Sequence, residues 1–250
     1  MHALVVTAVA AEADSVAAGL SPGSAPAPHP DGPVTPPRTL PGGYLLSRHD
    51  VPGLALDVLV GGVGPAAAAA ATATALAVAA SGDRPYRLVV SAGIGGGFRP
   101  AAPPGTLVVA DAIVAADLGA ETPDGFLTVE QLGFGRALHL PPAELAARAA
   151  EATGALLAPV LTVSTVTGSA ARAAELAARH PSARAEAMEG FGVAEAAAAY
   201  GLPVLEVRAV SNAVGPRDRA AWRIGDALAA LTAGFHRLVP VLHGWGERHE

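Results

Sequence analysis

Short runs of aliphatic, often β-branched residues alternate with alanine-rich segments along most of the chain. Runs without internal polar residues are typical of buried strands, and the alanine-rich segments between them have the length and composition of helices. The predicted strands are 3–10, 44–50, 54–62, 86–93, 105–115, 158–168 and 203–212, and the predicted helices are 11–20, 64–80, 141–154, 169–181, one within 183–201 that ends at Gly201, and 220–245.

This alternation predicts the fold class. Strands that are apolar throughout must be covered on both faces, which is the arrangement of a sheet between two helix layers. The pattern therefore predicts an α/β protein, a three-layer α/β/α sandwich with a central, mostly parallel mixed sheet.

Two stretches lack the pattern. Residues 21–43 are dense in Pro, Gly and Ser and predict an exposed surface loop, and residues 116–126 predict another loop. Because no Pro/Gly-rich linker follows residue 45, the sequence predicts a single domain over 1–250.

Composition and charge exclude several classes of protein. Of the 250 residues, 51% are hydrophobic and 15% charged, which predicts a sizeable core and not a disordered chain. The formal net charge of -6 argues against a nucleic-acid partner, because phosphate neutralisation requires a basic surface. The sequence has no cysteine, so disulfides, thiolate nucleophiles and sulfur-ligated metals are excluded.

Targeting and metal signals are also missing from the pattern. The N-terminal apolar run has no basic residues before it and soon reaches Glu12 and Asp14, which argues against a signal peptide. The apolar stretch 54–80 predicts no membrane span, because a charged residue and four helix-interrupting residues break it: Asp57, Gly61, Gly62, Gly64 and Pro65. The eight histidines show no paired metal-ligand spacing. We therefore expect a cytoplasmic protein with no metal and no cofactor.

A glycine turn at 62–67 fits the pattern G-x-G-x-x-A between a strand and a helix. Such a turn can bind a dinucleotide, with Asp83 at about the spacing of a ribose-binding acid. However, Asp83 precedes the next strand instead of ending it. A structural turn is the preferred interpretation, and NAD binding remains an alternative.

A second glycine cluster, "SAGIGGGF" at 91–98, follows a buried strand. Glycines let a ligand approach the backbone closely, and ligands of open α/β sheets bind beyond the carboxyl ends of the strands. Gly95 and Gly96 are therefore candidate substrate contacts, although a plain tight turn would use the same residues.

Glu12 lies just past the first strand, at the start of a predicted helix. A helix N-terminus favours the ionised carboxylate, which is the form that a general base requires. A solvated acid in the first helical turn is the alternative.

Glu189 lies in the apolar segment "AMEGFG" at 187–192. A carboxylate in such surroundings must have partners, and an ionised carboxylate that only accepts hydrogen bonds suits the two hydroxyls of a ribose. Its neighbours Met188 and Phe191 are further candidate substrate contacts. A structural ion pair is the alternative for Glu189.

Polar residues end the last predicted strand, "PVLEVRAVSN" at 203–212. Arg208 is costly in an apolar run unless it meets an anion or a polarised water. Ser211 and Asn212 follow it, and an amide can read the O6/N7 edge of a 6-oxopurine by donating to O6 and accepting from N7–H. A turn-forming asparagine is the alternative.

Together these segments resemble the purine nucleoside phosphorylase and nucleosidase superfamily, most closely its methylthioadenosine/S-adenosylhomocysteine nucleosidase branch. The resemblance covers nearly the whole chain except 21–43. In that superfamily an M-E-G motif supplies ribose-binding residues, here Met188 and Glu189. A strand ending in R-A-x-S-D supplies an arginine near the water and an acid that protonates the base, here Arg208 and Asn212. The segments that carry it are the first strand with Glu12, 60–69, the glycine cluster, 104–114 and 187–212.

Two positions depart from the nucleosidase pattern. Asn212 replaces the aspartate, which shifts the expected leaving base from adenine to hypoxanthine. This Asn and the segments 116–126 and 215–224 are similar to futalosine hydrolases, which release hypoxanthine from futalosine in menaquinone biosynthesis. Ile94 stands where the nucleosidases usually have a serine, which leaves the alignment of the glycine loop open.

The resemblance implies a hydrolase in which Glu12, with Arg208, activates a water. Methylthioadenosine/S-adenosylhomocysteine nucleosidase and phosphate-dependent phosphorylase activities are alternatives, as is a non-catalytic nucleoside-binding protein. Arg99 is the one candidate phosphate arginine near the glycine loop. Arg217 or Arg219 is a candidate for an acidic 5′ substituent. The resemblance also implies a homo-oligomer.

Overall fold

The computed structural model of the chain describes residues 1–20 and 37–248. Within them the strands are β1 His2–Thr7, β2 Arg38–Thr39, β3 Leu45–Val51, β4 Leu54–Val60, β5 Leu88–Gly97, β6 Leu107–Val109, β7 Ile113–Ala115, β8 Gly119–Thr122, β9 Gly125–Thr128, β10 Leu138–His139, β11 Leu156–Leu157, β12 Val160–Thr162, β13 Ala185–Ala187 and β14 Val204–Ala213. The helices are α1 Ala10–Leu20, α2 Pro65–Ala80, α3 Ala143–Thr153, α4 Ala170–Arg179, α5 Gly190–Ala199 and α6 Ile224–Arg248, with 3₁₀ turns at Pro41–Gly43 and Arg219–Ala221.

One mixed sheet runs through the described part of the chain. Its centre is parallel: β4 pairs with β1, β1 with β5, and β5 with β14. Antiparallel pairs flank this centre, with β3 on β4, β13 on the end of β5, and β6 on β14. Strands β8 and β9 form a separate hairpin. The mostly parallel, mixed central sheet is as the sequence predicts.

Two helix layers cover this sheet. In β1, Leu4 and Val6 belong to the core cluster that includes α2 and α5, whereas Ala3 and Val5 belong to the cluster that includes α1, α3 and α6. Successive strand residues point to opposite faces, so a strand that is apolar at every position has a core on each side. The α/β/α prediction is confirmed.

Several predicted boundaries are wrong. The apolar run 105–115 is two strands, because the chain turns at the exposed Asp111 and passes from the β14 side of the sheet to the β12 side. The run 158–168 is a strand only over β12. Residues 116–126, predicted as a loop, contain most of the β8–β9 hairpin, whose turn is closed by a hydrogen bond from the Thr122 hydroxyl to the Gly125 carbonyl at 2.7 Å.

Part of the Pro/Gly-rich stretch 21–43 lies outside the described residues. The part that is described, 37–43, supplies β2 and a 3₁₀ turn. Backbone pairing of β2 with β3 at the sheet edge explains why this polar segment is extended.

Strand β5 does not end at Gly93, as predicted, but continues through the glycine cluster to Gly97. Its later residues pair with β14 on one side and with β13 on the other. At Gly97 an added Cβ would lie 2.0 Å from the Ala102 carbonyl oxygen, so only glycine fits this crowded crossing. The register with β14 shifts between Val210 and Asn212, which makes Ser211 the extra residue of a bulge.

Close helix contact places the segment that contains Glu189. A Cβ on Gly192 in α5 would lie 2.0 Å from the carbonyl oxygen of Pro65, the first residue of α2. The absence of a side chain there lets the two helices touch. As a result, the Gly64 turn before α2 lies beside the N-terminus of α5.

A buried acid on β4 stabilises the other side of the sheet. Asp57 is 1% exposed and accepts hydrogen bonds from Arg48 at 2.9 and 3.0 Å and from the Tyr86 hydroxyl at 2.7 Å, with His2 Nε2 at 3.1 Å. Burial by itself would raise the pKa of Asp57, but the bonds from His2, Arg48 and Tyr86 lower it well below its usual range. The carboxylate is therefore ionised in the folded protein.

We expect the substitution Asp57→Asn to lower the free energy of unfolding by about 3 kcal/mol at neutral pH. This value lies at the lower end of the free-energy cost of breaking a buried ion pair. The Arg48 side chain is 37% exposed, so water can solvate it after its partner is lost. Urea unfolding measures the difference. A folded-state pKa below the unfolded value makes this contribution complete above about pH 4 and smaller in more acidic solution. An equal difference at pH 7 and pH 3 would contradict the assignment.

Candidate active site

The candidate site lies beside the carboxyl ends of β1 and β13 and the middle of β14. Glu12 follows β1 in the first turn of α1, Arg208 lies in the middle of β14, and Glu189 follows β13 as the N-cap of α5. Strands β1 and β14 run parallel to β5, whereas β13 is antiparallel to it and reaches the site from the opposite direction. The sheet thus brings together residues that are far apart in sequence.

Glu12 is held almost entirely by backbone groups. It is 3% exposed, and its Oε2 accepts from the amides of Ala8 at 2.9 Å and Val9 at 3.2 Å, while its Oε1 accepts from the Ile94 amide at 2.8 Å. Burial raises the pKa of Glu12, and the Glu189 charge adds to this effect. The amide of Ile94 and the charge of Arg208 oppose it only in part. The carboxylate is thus a stronger base than an exposed glutamate.

Arg208 is wholly buried and its guanidinium is bound on three sides. Nε donates to Glu206 Oε1 at 2.8 Å, Nη1 to Glu189 Oε2 at 3.1 Å, and Nη2 to the Ser91 hydroxyl at 2.8 Å. Burial by itself would lower the pKa of Arg208, but Glu206, Glu189 and Glu12 raise it above its ordinary value. The sequence predicts an anion or a polarised water beside Arg208. In the structure its partners are the carboxylates of Glu206 and Glu189.

Glu189 links the glycine turn at 62–67 to this arginine. Its Oε1 accepts from the Gly64 amide at 3.2 Å, its Oε2 pairs with Arg208, and it is 6% exposed. The ion pair that the sequence left open as an alternative is present. Pairing with Arg208 does not exclude ribose binding, since one carboxylate has about four acceptor positions.

Glycine 93 connects Glu12 to Arg208. A Cβ at this position would lie 2.6 Å from Glu12 Oε1 and 2.7 Å from Arg208 Nη1, so the two charged groups lie side by side over the bare backbone. Glu12, Arg208 and Glu189 thus form one charged cluster.

Ser211 and Asn212 form a second group, further along the same strand pair. The Ser211 hydroxyl lies 2.8 Å from Asn212 Oδ1 and 3.2 Å from the Gly95 carbonyl oxygen, and Asn212 Nδ2 donates to the Ala213 carbonyl at 3.0 Å. Asn212 pairs in register with Gly96. One amide hydrogen and one lone pair on Asn212 stay available to a ligand. Asn212 follows Arg208, a member of the charged cluster, by four residues on β14.

A cavity of about 350 Å³ adjoins Asn212, which is a sufficient volume for a purine ring. Its aromatic wall is Trp222, and the guanidinium carbons of Arg217 and Arg219 lie 5.3 and 5.6 Å from the centroid of the Trp222 ring. Arg99 also lines this cavity.

The other predicted contacts take varied positions. Met188 is half-buried next to Glu189. Phe191 is buried in the core with its ring 5.2 Å from that of His139, and its amide donates to the Thr162 hydroxyl at 2.9 Å. Ile94 holds Glu12 through its backbone amide. A serine side chain at position 94 is therefore not required for this contact. Substrate contact by Met188 and Phe191 stays a prediction.

Sequence reasoning missed three groups at this site. Glu206, Ser91 and the Gly64 amide all bind members of the charged cluster. Glu206 carried a usable signal, because it is a second charge inside the same apolar strand as Arg208. The Gly64 turn, for which a structural role was the preferred interpretation, also donates a backbone hydrogen bond to Glu189.

Two general features concern the described residues only. Residues 1–20 and 37–248 contain no group of three or more His, Asp or Glu side chains arranged to hold a metal ion. In the same residues no helix combines the length and hydropathy of a membrane span.

Comparison with known proteins identifies the family. The family model described as the phosphorylase superfamily matches residues 3–239. Futalosine hydrolase of Streptomyces coelicolor is 63% identical over 98% of this chain and 98% of its own. The chain belongs to the futalosine hydrolase family. A second member, from Acidothermus cellulolyticus, is 47% identical over 94% of this chain and 89% of its own.

Solved structures share the fold of this futalosine hydrolase family member. The native futalosine hydrolase of Helicobacter pylori superposes with a TM-score of 0.76 at 16% identity, covering 96% of this chain and 97% of that one. A methylthioadenosine/S-adenosylhomocysteine nucleosidase from Neisseria meningitidis, solved with methylthio-immucillin-A, has a TM-score of 0.74 at 17% identity, covering 95% and 98%. At these identities the likeness shows the fold alone.

Proposed function

We propose that this chain hydrolyses the N-glycosidic bond of futalosine and releases hypoxanthine and dehypoxanthine futalosine, as a step of menaquinone biosynthesis. The 63% identity to a futalosine hydrolase over almost the whole chain is the observation that carries the proposal. The charged cluster supports it because its carboxylates suit ribose hydroxyls, and the cavity beside Asn212 supports it because its volume suits a purine.

In this proposal Glu12 is the general base. It takes a proton from a water whose oxygen attacks the anomeric carbon of the ribose. The C–N bond to the purine breaks, and its electron pair leaves with the base, which takes a proton from solvent at N7. A base that activates water on the face opposite the leaving group is the logic of an inverting glycosidase.

Glu189 and Asn212 bind the two parts of the substrate. Glu189 accepts from the ribose hydroxyls, and its negative charge stabilises the positive charge that develops on the sugar. The free donor of Asn212 binds O6, and its free lone pair accepts from N7–H of the departing base. Met188, Phe191, Ser211, Gly95 and Gly96 are proposed to line the substrate.

Water is favoured over phosphate as the nucleophile. Glu12, Glu189 and Glu206 all lie around Arg208, and two of them accept hydrogen bonds from it. A phosphate dianion placed beside Glu12 would be repelled by these acids, whereas a neutral water is not.

Product analysis tests the proposal. The protein is incubated with futalosine, inosine and methylthioadenosine, each with and without phosphate, and the products are separated by chromatography. We expect phosphate-independent hypoxanthine release from futalosine. Adenine release from methylthioadenosine as the main activity would favour the nucleosidase alternative, phosphate-dependent release a phosphorylase, and binding without release a nucleoside-binding protein.

We also propose a cytoplasmic homo-oligomer. Exposed apolar side chains occur between residues 118 and 140, with Phe134 80% and Leu140 70% exposed, and exposed apolar surface is typical of protein–protein contacts. Light scattering coupled to size exclusion is expected to give at least twice the mass of one chain. Replacing Phe134 and Leu140 by serine should then lower that mass, and a wild-type monomer would contradict the proposal.

A further inference from the structure

Glu206 is a carboxyl group that the proposed mechanism does not use, although it binds Arg208 of the charged cluster. It is 0% exposed and lies two residues before Arg208 on β14. Its Oε1 accepts from Arg208 Nε at 2.8 Å. No described donor lies within hydrogen-bond distance of its Oε2.

An acid in this position is not explained by stability. A buried carboxyl oxygen without a donor is costly, and a buried ion pair is often no more stable than an apolar replacement of similar volume. Burial raises the pKa of Glu206 against the opposing effect of Arg208, in agreement with that cost. The neighbours Leu205 and Val207 show that the strand otherwise uses aliphatic residues here.

Backbone packing holds Glu206 in place. A Cβ on Gly190 would lie 2.2 and 2.3 Å from the two oxygens of Glu206. The glycine that directly follows Glu189 therefore makes room for this carboxyl group. Glu206 thus lies between the Arg208 guanidinium and the backbone of Gly190.

Glu189 is held less tightly to the same arginine. Its hydrogen bond to Arg208 measures 3.1 Å, against 2.8 Å between Arg208 and Glu206, and Glu189 is 6% exposed whereas Glu206 is 0% exposed. The ribose hydroxyls share the acceptor positions of Glu189 with Arg208, and Arg208 needs fewer of them while it keeps Glu206 as a second carboxylate partner.

We propose that Glu206 is a positioning residue, the permanent partner that holds Arg208 and leaves Glu189 free to bind the ribose hydroxyls. This inference rests on the proposed function. Without Glu206, the charge of Arg208 would be matched mainly by Glu189, and this stronger pairing would compete with the ribose hydroxyls for the acceptor positions of Glu189.

The substitutions Glu206→Leu and Glu206→Gln test this role. We expect Glu206→Leu to raise KM for futalosine about 10–100-fold, the equivalent of one hydrogen bond to a charged group, with a smaller change in kcat. Glu206→Gln keeps an acceptor for Arg208 Nε and should recover part of the loss. Asp57→Asn is the matched control, because it removes another buried, arginine-bound acid and should leave KM unchanged.

A second readout isolates the ribose contact. Inosine and 2′-deoxyinosine are compared as competitive inhibitors of futalosine hydrolysis. The wild type should bind inosine more tightly, and Glu206→Leu should reduce this preference towards one. A merely structural role would lower the melting temperature and the active fraction without changing either KM or the inhibitor ratio.

The outcomes are distinguishable. Wild-type protein that releases no hypoxanthine would overturn the proposed function, and this inference with it. Normal wild-type hydrolysis, with KM and the inhibitor ratio unchanged in both Glu206 variants, would overturn this inference alone.

Discussion

Replacing Glu12 by glutamine is expected to lower the turnover of futalosine at least 10²-fold, within the range of about 10²–10⁴ that general-base catalysis contributes. Glutamine has nearly the size of glutamate but cannot take a proton from water. Its amide also offers a single acceptor oxygen, whereas Glu12 accepts from backbone amides at both oxygens. Steady-state kinetics of hypoxanthine release measures the loss.

The control for this prediction is Asp14→Asn, which removes an exposed acid from the same helix. It should leave both kcat and KM unchanged. Turnover near the wild-type level in Glu12→Gln, with the control also normal, would remove Glu12 from the mechanism.

The pH dependence of the wild type should report the same carboxyl group. A general base acts when ionised, so kcat/KM should rise with pH through the pKa of Glu12. Because burial raises that pKa, the acid limb should lie above the ordinary glutamate value of 4.5. Activity that stays constant down to pH 4.5 would contradict this assignment.

Replacing Asn212 by aspartate is expected to change the preferred base. A protonated aspartate donates to N7 and accepts from a 6-amino group, whereas asparagine donates to a 6-oxo group. Sites that hydrogen-bond a substrate group discriminate strongly against an analogue that leaves the site's group unpaired. We expect the ratio of kcat/KM for inosine to that for adenosine to fall at least about 10²-fold, the value of two hydrogen bonds at about 10-fold each.

Asn212→Ala provides the comparison. Loss of one preorganised contact to a leaving group lowers the rate about 10²–10³-fold, and alanine offers no new contact to adenine. The alanine variant should therefore be slow with both bases. An aspartate variant that keeps the wild-type base preference would refute base recognition by Asn212.

Local pattern was sufficient where one element dictates its own structure. β1 is predicted because a run of β-branched residues suits only a strand with a core on each face. Glu12 is predicted as a site residue because a strand end and a helix start bracket it. The break between β6 and β7 was not predictable, since Asp111 is one polar residue in an apolar run. The two halves of this run, β6 and β7, pair with β14 and β12, which lie far away in the sequence.

The glycine motifs show the same division. Glycines at 93–97 indicated a close backbone approach, but sequence could not say to what. The structure shows Gly93 beneath Glu12 and Arg208, and Gly97 against Ala102. In the segment 187–192, the absence of a side chain on Gly190 makes room for the Glu206 carboxyl group, and its absence on Gly192 makes room for the Pro65 carbonyl.

The sequence by itself determined the layers of the fold, the strand ends that carry polar residues and the family to which the chain belongs, because periodicity and motifs are local properties. Only the tertiary structure decided that Arg208 is shared between Glu189 and Glu206, and that the Gly64 turn belongs to the site. Hydrogen bonds such as that from Gly64 to Glu189 join residues 125 positions apart. Such pairings depend on strand order and register, which no local pattern encodes.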